Sequence, residues 1–318
     1  MPRSSRPVVL TAALGLALLA GGCSLVPDNT VSSKGPTVLG FINGGTDPYH
    51  TCLQTAVSTT TQNNLAKVVT ANSNGSKSAE LRNVRRMIAD KVDAIILISV
   101  DASALNADIA AAQKAHVPIF LIALMPADDS KILGAAVGDL TGIGKLDAQW
   151  VGDDAVGKSV KAGVISGDGS TSSDMMVAGF TKNLPSNVQV VGEELGMYNQ
   201  PKAKAAAAKL IEVHPDIQYA FVANEDMAFG VRQAFDAAGA QSVKIVTVNG
   251  TDPGLAALKS GQFAATVSNS VQDLGALAVT HALGLLRKED KNKIARVSTR
   301  LVTKANADTA HIYCDTDG

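Results

Sequence analysis

Residues 219–235, YAFVANEDMAFGVRQAF, run from a short apolar segment into a polar corner that holds Asn224 and Asp226. Beyond the corner, apolar residues recur at Met227, Val231 and Phe235, which is helical spacing. An Asn or Asp placed where a strand passes into a helix caps the helix and still presents an amide or carboxylate outward. Such groups hydrogen-bond a polar ligand; alone they do not break bonds. In a parallel α/β sheet, ligands bind at the carboxyl ends of strands, beside such corners. Several other corners of this chain carry the same kind of residue.

Residues that would do covalent chemistry are not assembled. Gly152, Gly157, Lys158 and Ser159 match the spacing of a phosphate-binding loop. Such a loop follows a strand and opens a helix, whereas this one follows an amphipathic stretch and enters an apolar strand. Asp153 and Asp154 would also set negative charge beside the phosphates. The bland reading, a helix that ends at Gly157, is preferred. No H-E-x-x-H and no G-x-S-x-G occurs. The Ser-rich loop at 167–172 lacks a base partner and reads as a turn before a helix cap. Of the five histidines, His116, His214 and His311 read as helix-end or surface residues and His281 as a packing residue. Only His50 falls where a cleft is expected. The cysteines have no His at metal spacing, so neither a metal nor a cofactor is expected.

The elements that position these corners follow from composition. With 318 residues, 46% of them apolar and only 4% aromatic, the interior must be built from Ala, Val, Ile and Leu. That composition suits buried parallel strands covered by helices, and the length favours two domains. A net charge of -1 without a long basic run gives no footprint for nucleic acid.

Strand and helix alternate from residue 37 onward. Strands are expected at 37–43, 67–71, 94–100, 118–124 and 133–137, with helices after Asp47-Pro48, through Leu81, Val84, Met87 and Ile88, and at 103–116. A second set has helices at 141–154, 174–182, 202–213, 226–238 and 253–260. They alternate with strands at 160–166, 189–195, 219–223, 244–248 and 264–268. A further helix is marked by Leu274, Leu277, His281 and Leu285, and residues 294–302 read as one final strand. The result is a pair of similar α/β halves.

The N-terminus assigns a compartment. Arg3 and Arg6 precede an apolar run at 8–20 that is short for a membrane span and shaped like a secretory signal. It ends in Leu19-Ala20-Gly21-Gly22-Cys23, which resembles a bacterial lipobox, in which the cysteine becomes the lipidated first residue. The alternative is an ordinary signal peptide with an incidental cysteine. A diacylated Cys23 would anchor the protein stably, and the polar stretch that follows, to residue 36, reads as a flexible tether. Cys52 and Cys314 are the remaining cysteines. Outside the cytoplasm such a pair is expected to be bridged; the alternative is two separate thiols.

The order of elements, with the segments FVANEDMAFG at 221–230, VTVNGTDP at 246–253 and FAATVSN at 263–269, resembles the sugar-binding solute-binding proteins of ABC importers, ribose-binding in type. The resemblance spans residues 37 to about 304, and the lipobox separates the chain from repressors of similar fold, which begin with a helix-turn-helix. It implies an α/β fold of type I, two Rossmann-like lobes with parallel sheets joined by a three-crossing hinge that closes on a ligand. Its expected organisation is a signal peptide at 1–22, lipidated Cys23 and tether at 23–36, a first lobe at 37–138 plus 270–300, and a second at 139–269 plus 301–318.

By position, the resemblance places Asp47, Tyr49 and His50 at the ligand from the first lobe. From the second it places Asp174, Tyr198, Asn224, Asn249 and Asn269. Amides and carboxylates pair with hydroxyls while rings cover the apolar faces of a sugar. Each also has a structural reading: Asp47 as a helix cap, Asn249 as a turn residue, Tyr198 as surface packing. The family's Asp-Arg pair after the fourth strand is replaced by Ile122-Ala123-Leu124-Met125, and the arginine of the second lobe's early helix by Asp174. A linear polyol, a less common sugar, or a cationic or amino-substituted solute would suit such a site. The resemblance implies an ABC permease as partner. A sensor that signals to a membrane receptor is the runner-up, and an anchored hydrolase using Asp47, His50 or Asp174 is the reading from a different class.

Overall fold

The computed structural model describes residues 35–169, 171–311 and 313–314. The expected signal peptide, Cys23 and nearly all of the tether lie outside the described residues.

The first lobe is built by β1 (Val38–Asn43), α1 (Pro48–Asn63), β2 (Lys67–Asn72), α2 (Lys77–Ala89), β3 (Ala94–Ile98), α3 (Leu105–Lys114), β4 (Ile119–Ile122) and β5 (Gly134–Val137). The chain then crosses over. The second lobe starts with α4 (Leu140–Asp154), β6 (Val160–Ser166), α5 (Thr171–Asn183), β7 (Val188–Leu195) and α6 (Gln200–Val213). It continues with β8 (Tyr219–Val222), α7 (Glu225–Ala237), β9 (Lys244–Asn249), α8 (Asp252–Ser260) and β10 (Ala265–Ser268). A second crossing leads to α9 (Val271–Leu286) and β11 (Ile294–Arg296) in the first lobe, and a third to β12 (Arg300–Thr303) in the second.

Residues 294–302 are therefore not one strand. They are split into two short strands, one per sheet, because the third crossing runs through them. The sheets have the same order, β11-β5-β4-β3-β1-β2 and β12-β10-β9-β8-β6-β7. All pairings are parallel except that of β12, which runs antiparallel to β10. In both, the strand order reverses beside the first strand, β1 or β6, which is where open α/β sheets leave a crevice for ligands.

Buried parallel strands need apolar residues on both faces. In β3, Ala94, Ile96 and Ile98 pack into the cluster under α1 and α9, while Ile95 and Leu97 pack into the cluster under α2 and α3. Strand β4 alternates in the same way, with Phe120 and Ile122 on one face and Ile119 and Leu121 on the other. The second lobe has its own core, in which Phe180 and Phe221 stack with ring centroids 4.8 Å apart. The motif at 152–159 joins the end of α4 to β6 through Gly157 at φ 71°, the reverse of a phosphate loop's strand-to-helix order.

The end of the chain departs from the expected organisation. Residues 301–318 are expected in the second lobe with a bridge from Cys314 to the first helix; Tyr313 and Cys314 pack against the core of the first lobe. The pull is local: the Tyr313 carbonyl accepts from the backbone N–H of Gln272 in the first turn of α9 (3.2 Å), and Cys314 meets Cys52 of α1.

One buried pair in the first lobe is electrostatically unusual. Glu80 accepts from Ser99 Oγ (2.6 Å) and from the Val100 backbone N–H (2.7 Å), and so fastens the loop that leaves β3. Asp108 of α3 is fully buried, and neither of its oxygens meets a donor among the described residues. Burial first, and then the neighbouring Glu80 carboxyl, push Asp108 up to about 8. At neutral pH Asp108 therefore keeps its proton, which spares the lobe a buried charge. The folded state thus holds a proton that the unfolded chain releases above about pH 4. This group therefore lowers stability progressively from about pH 4 up to its folded value near 8. Asp108→Asn supplies a permanent donor to Glu80. We expect it to raise stability by about 1–3 kcal/mol near pH 8 and by little near pH 4, read from thermal melts of both proteins at the two pH values.

Candidate functional site

The polar corners lie at the carboxyl ends of the two sheets. In the first lobe β1 ends at Asn43, and Gly44, Gly45 and Thr46 lead to Asp47, which caps α1 with Pro48 at its first turn. Asp47 Oδ1 accepts from the His50 backbone N–H (3.2 Å), and its Oδ2 lies 2.6 Å from His50 Nδ1. That hydrogen bond is the chief reason the Asp47 carboxyl sits below its ordinary range. A Cβ on Gly45 would fall 2.9 Å from the imidazole, so the glycine makes room for the ring. Asn43 Nδ2 donates to the His50 carbonyl (2.8 Å) and holds the first turn of α1 against the strand end. The Tyr49 and His50 rings meet edge to face at 5.3 Å. Burial, and then the Asp47 charge, push the Tyr49 hydroxyl up.

The neighbouring strand ends are less polar. After β4 the chain turns through Ala123 at φ 68° into Leu124 and Met125, so the first lobe has no charged clamp there. After β3, Asp101 is paired with Lys77 at 3.1 Å.

In the second lobe, β6 ends at Ser166 and Gly167. Tyr198 lies over Gly167 so closely that a Cβ there would fall 2.3 Å from its ring. The Gly167 backbone N–H donates to Ser173 Oγ (2.8 Å). Tyr198 stands in a left-handed turn with Met197, at φ 47° and 58° respectively, and its hydroxyl is pushed up to about 12, first by burial and then, against a hydrogen bond with Ser173, by Asp168 and Asp174. The structure thus brings Tyr198 and Asp174 together. Asp174 also lines, with Thr141 and Lys182, an open groove along α4 and α5.

The three asparagines occupy adjacent strand ends. Asn224 caps α7, and its Oδ1 accepts from the Met227 backbone N–H (2.9 Å), which leaves its amide NH2 and one lone pair of Oδ1 for a ligand. Asn249 ends β9 at φ 139°, a backbone shape that few residues adopt, and its carbonyl accepts from the Asn269 backbone N–H (3.0 Å). Asn269 lies on the second crossing, beside Gly138 of the first: its Oδ1 is 3.6 Å from where a Gly138 Cβ would stand. Asn249 and Asn269 are half-buried.

Two residues here were missed in the sequence. Glu225, 1% exposed, accepts from the backbone N–H of Gly250 (2.9 Å) and Thr251 (2.8 Å) and from the hydroxyls of Thr251 and Thr266 (2.7 Å for the latter). Burial pushes its carboxyl up and those donors pull it back. In sequence it looks like an ordinary acidic residue in a helix's first turn. The second is Tyr313, whose hydroxyl is raised by burial and then by Tyr49, Glu225 and Asp47. The signal was present: Tyr313 precedes Cys314, and Tyr49 lies three residues before Cys52. The two sulfurs are adjacent, with Cα atoms 5.8 Å apart, inside the range of a disulfide. Among the described residues no group of His, Cys, Asp and Glu is placed to hold a metal.

Comparison with known proteins agrees with this fold. The model of the periplasmic binding protein domain matches residues 40–290. The ribose import binding protein of Bacillus subtilis (strain 168) is 25% identical over 304 residues, covering 93% of this chain and 98% of its own length. A xylitol-binding protein of Mycolicibacterium smegmatis is 27% identical over 314 residues, covering 95% of this chain and 86% of its own. An ABC transporter solute-binding protein from Bacillus halodurans C-125, solved with bound myo-inositol, superposes with a TM-score of 0.81 at 20% identity, covering 87% of this chain and 98% of that one.

Glu225→Ala would leave its donors facing a cavity. We expect a loss of about 3–4 kcal/mol in urea unfolding, with Glu225→Gln losing about half of that because one amide oxygen still accepts.

Proposed function

The chain belongs to the periplasmic binding protein family, and on that premise we propose that it is an extracytoplasmic solute-binding lipoprotein of an ABC importer that captures a sugar or polyol between its two lobes by hinge closure. The observation that carries this reading is the convergence of Asp47, Tyr49 and His50 at the strand ends of one sheet and of Asn224, Asn249 and Asn269 at those of the other. Amide donors, a carboxylate acceptor and aromatic rings form the set that recognises a polyhydroxylated solute. Asp174 and Tyr198 complete the proposed contacts from the second lobe. Relatives named for ribose and xylitol, matched over nearly the whole chain, support the same solute class.

The mechanism is a population shift. A solute that touches both lobes only when they are closed stabilises that state, and an ABC permease then recognises it. No covalent step is required, so the protein acts as a binder rather than an enzyme. Lipid on Cys23 would hold it at the outer face of the cell membrane, with the tether to residue 36 giving reach, and a Cys52–Cys314 disulfide suits that compartment. The lobes are taken as 37–138 plus 270–300 and 139–269 plus 301–311, with the last residues returning to the first.

A second reading has specific support. Asp47 and Asp168 follow the ends of β1 and β6, Asp174 lies in the first turn of α5, and the proposed contacts include no arginine. An amino-substituted or cationic solute would be paired by those carboxylates.

A thermal-shift panel on the soluble form beginning at Ser24 separates these outcomes. A true solute at ~100 times its Kd adds ~2.7 kcal/mol of stability. We expect a shift with a neutral sugar or linear polyol, and its loss in Asn249→Ala. The Asn224→Ala protein is judged by its ligand-induced shift alone, because losing the cap costs about 1 kcal/mol by itself. Shifts confined to amino sugars or small cations would select the second reading. Silence across the panel would end the sugar reading, and continuous depletion of a solute with product release would mean an enzyme.

A further inference from the structure

The tail of the chain reaches further than the two lobes require. After β12 and the buried Ala307 in the second lobe's core, the chain returns to the first lobe. There it is held at two points within one residue of Tyr313. The Tyr313 carbonyl accepts from Gln272 N–H at the start of α9 (3.2 Å) and lies 3.7 Å from Cys52 Sγ, and the next residue, Cys314, meets Cys52 itself. Neither anchor is needed to complete a sheet or a core helix.

The anchors set the place of the ring. Tyr313 and Tyr49 pack against the same apolar cluster, at the end of α1 that begins with the Asp47 cap. Through the bond from Gln272, Tyr313 also sits at the first turn of α9, three residues beyond Asn269 on the second crossing. Tyr313 therefore stands beside the polar corner of the first lobe, at the point where the second crossing brings in Asn269.

We infer that Tyr313 is a solute-contacting residue of the cleft, seated there by the Cys52–Cys314 pairing, where with Tyr49 it forms an aromatic pair against the apolar face of a sugar or polyol. The inference rests on the solute-binding reading and deepens it. A tyrosine ring covers C–H faces, and its hydroxyl donates to a solute oxygen or accepts from a solute hydroxyl. Because the ring is fixed through the tail rather than through either sheet, loosening the tail changes the pocket without unfolding a lobe.

The chain has four tyrosines, Tyr49, Tyr198, Tyr219 and Tyr313, so fluorotyrosine labelling gives four fluorine NMR lines, assigned by single Tyr→Phe changes. Tyr219 is the internal control: it starts β8, away from the strand ends, and its hydroxyl bonds Asp154. Without any solute, Cys314→Ser should displace the lines of Tyr313 and Tyr49 and leave that of Tyr219. D-ribose, xylitol and myo-inositol are then titrated in turn. Whichever of them raises the Tm should move the Tyr313 line together with the Tyr49 line, and Tyr313→Ala should weaken its binding at least tenfold, with the solute-induced rise read against that variant's own solute-free Tm. A solute that moves Tyr49 or Tyr198 while Tyr313 stays still overturns the inference, as does a Tyr49 line that ignores Cys314→Ser. If none of the three binds, the sugar reading fails separately. In that case a displaced Tyr49 line still supports the seating of Tyr313, and an unmoved one overturns it.

Discussion

One buried carboxylate ties together the strand ends on which the second lobe's side of the cleft depends. Glu225 collects two backbone N–H groups of the β9–α8 turn and the hydroxyls of Thr251 and Thr266, so α7, α8 and β10 share a single acceptor. Its fit is close: a Cβ on Gly254 would fall 2.1 Å from its carboxyl carbon, so α8 needs glycine at that point. Asn224 lies immediately before this carboxylate, and Asn249 immediately before the turn it grips. Asn269 follows the same strand as Thr266 and is bonded to the Asn249 carbonyl. The positions of the three amides are thus set by a group that need not touch a solute. Buried polar groups that are fully satisfied rigidify their surroundings in this way.

The first lobe solves the same problem with local bonds. Asp47 and His50 close on each other, Asn43 holds the turn, and Gly44 and Gly45 leave space for the imidazole. The two sides of the proposed cleft therefore differ in kind. One is a helix cap with an aromatic neighbour, and the other is a row of amides over a buried acceptor. A solute that bridges them gains from both only when the lobes approach, which is the physical basis of capture by closure.

Much of this was legible in the sequence because parallel strands buried on both faces leave long apolar runs, and helix caps leave Asp-Pro, Asn-Glu and Ser signals at the corners. Nearly every strand and helix lies within a few residues of its expected place. The exceptions have physical reasons. Residues 294–302 read as one strand since periodicity does not register a crossing between sheets, and β12 pairs antiparallel at an edge. Asp108 and Glu80 look like polar helix faces, and only the packing of α2 on α3 reveals that both are buried. The Cys52–Cys314 pairing was expected, but that it seats Tyr313 beside Tyr49 follows from packing on a shared apolar cluster, which sequence spacing does not register. The corners that carry Asp47, Asn224, Asn249 and Asn269 were readable, while what each contributes to a solute is a matter of three-dimensional placement that spacing does not encode.

The central claim is that a solute draws the two lobes together. Small-angle X-ray scattering of the soluble form, titrated with the sugars and polyols that raise its melting temperature, tests it most directly. The account predicts a fall in radius of gyration that saturates at one solute per chain and reverses on dialysis. A solute that binds tightly and leaves the radius unchanged at saturation would contradict capture by closure.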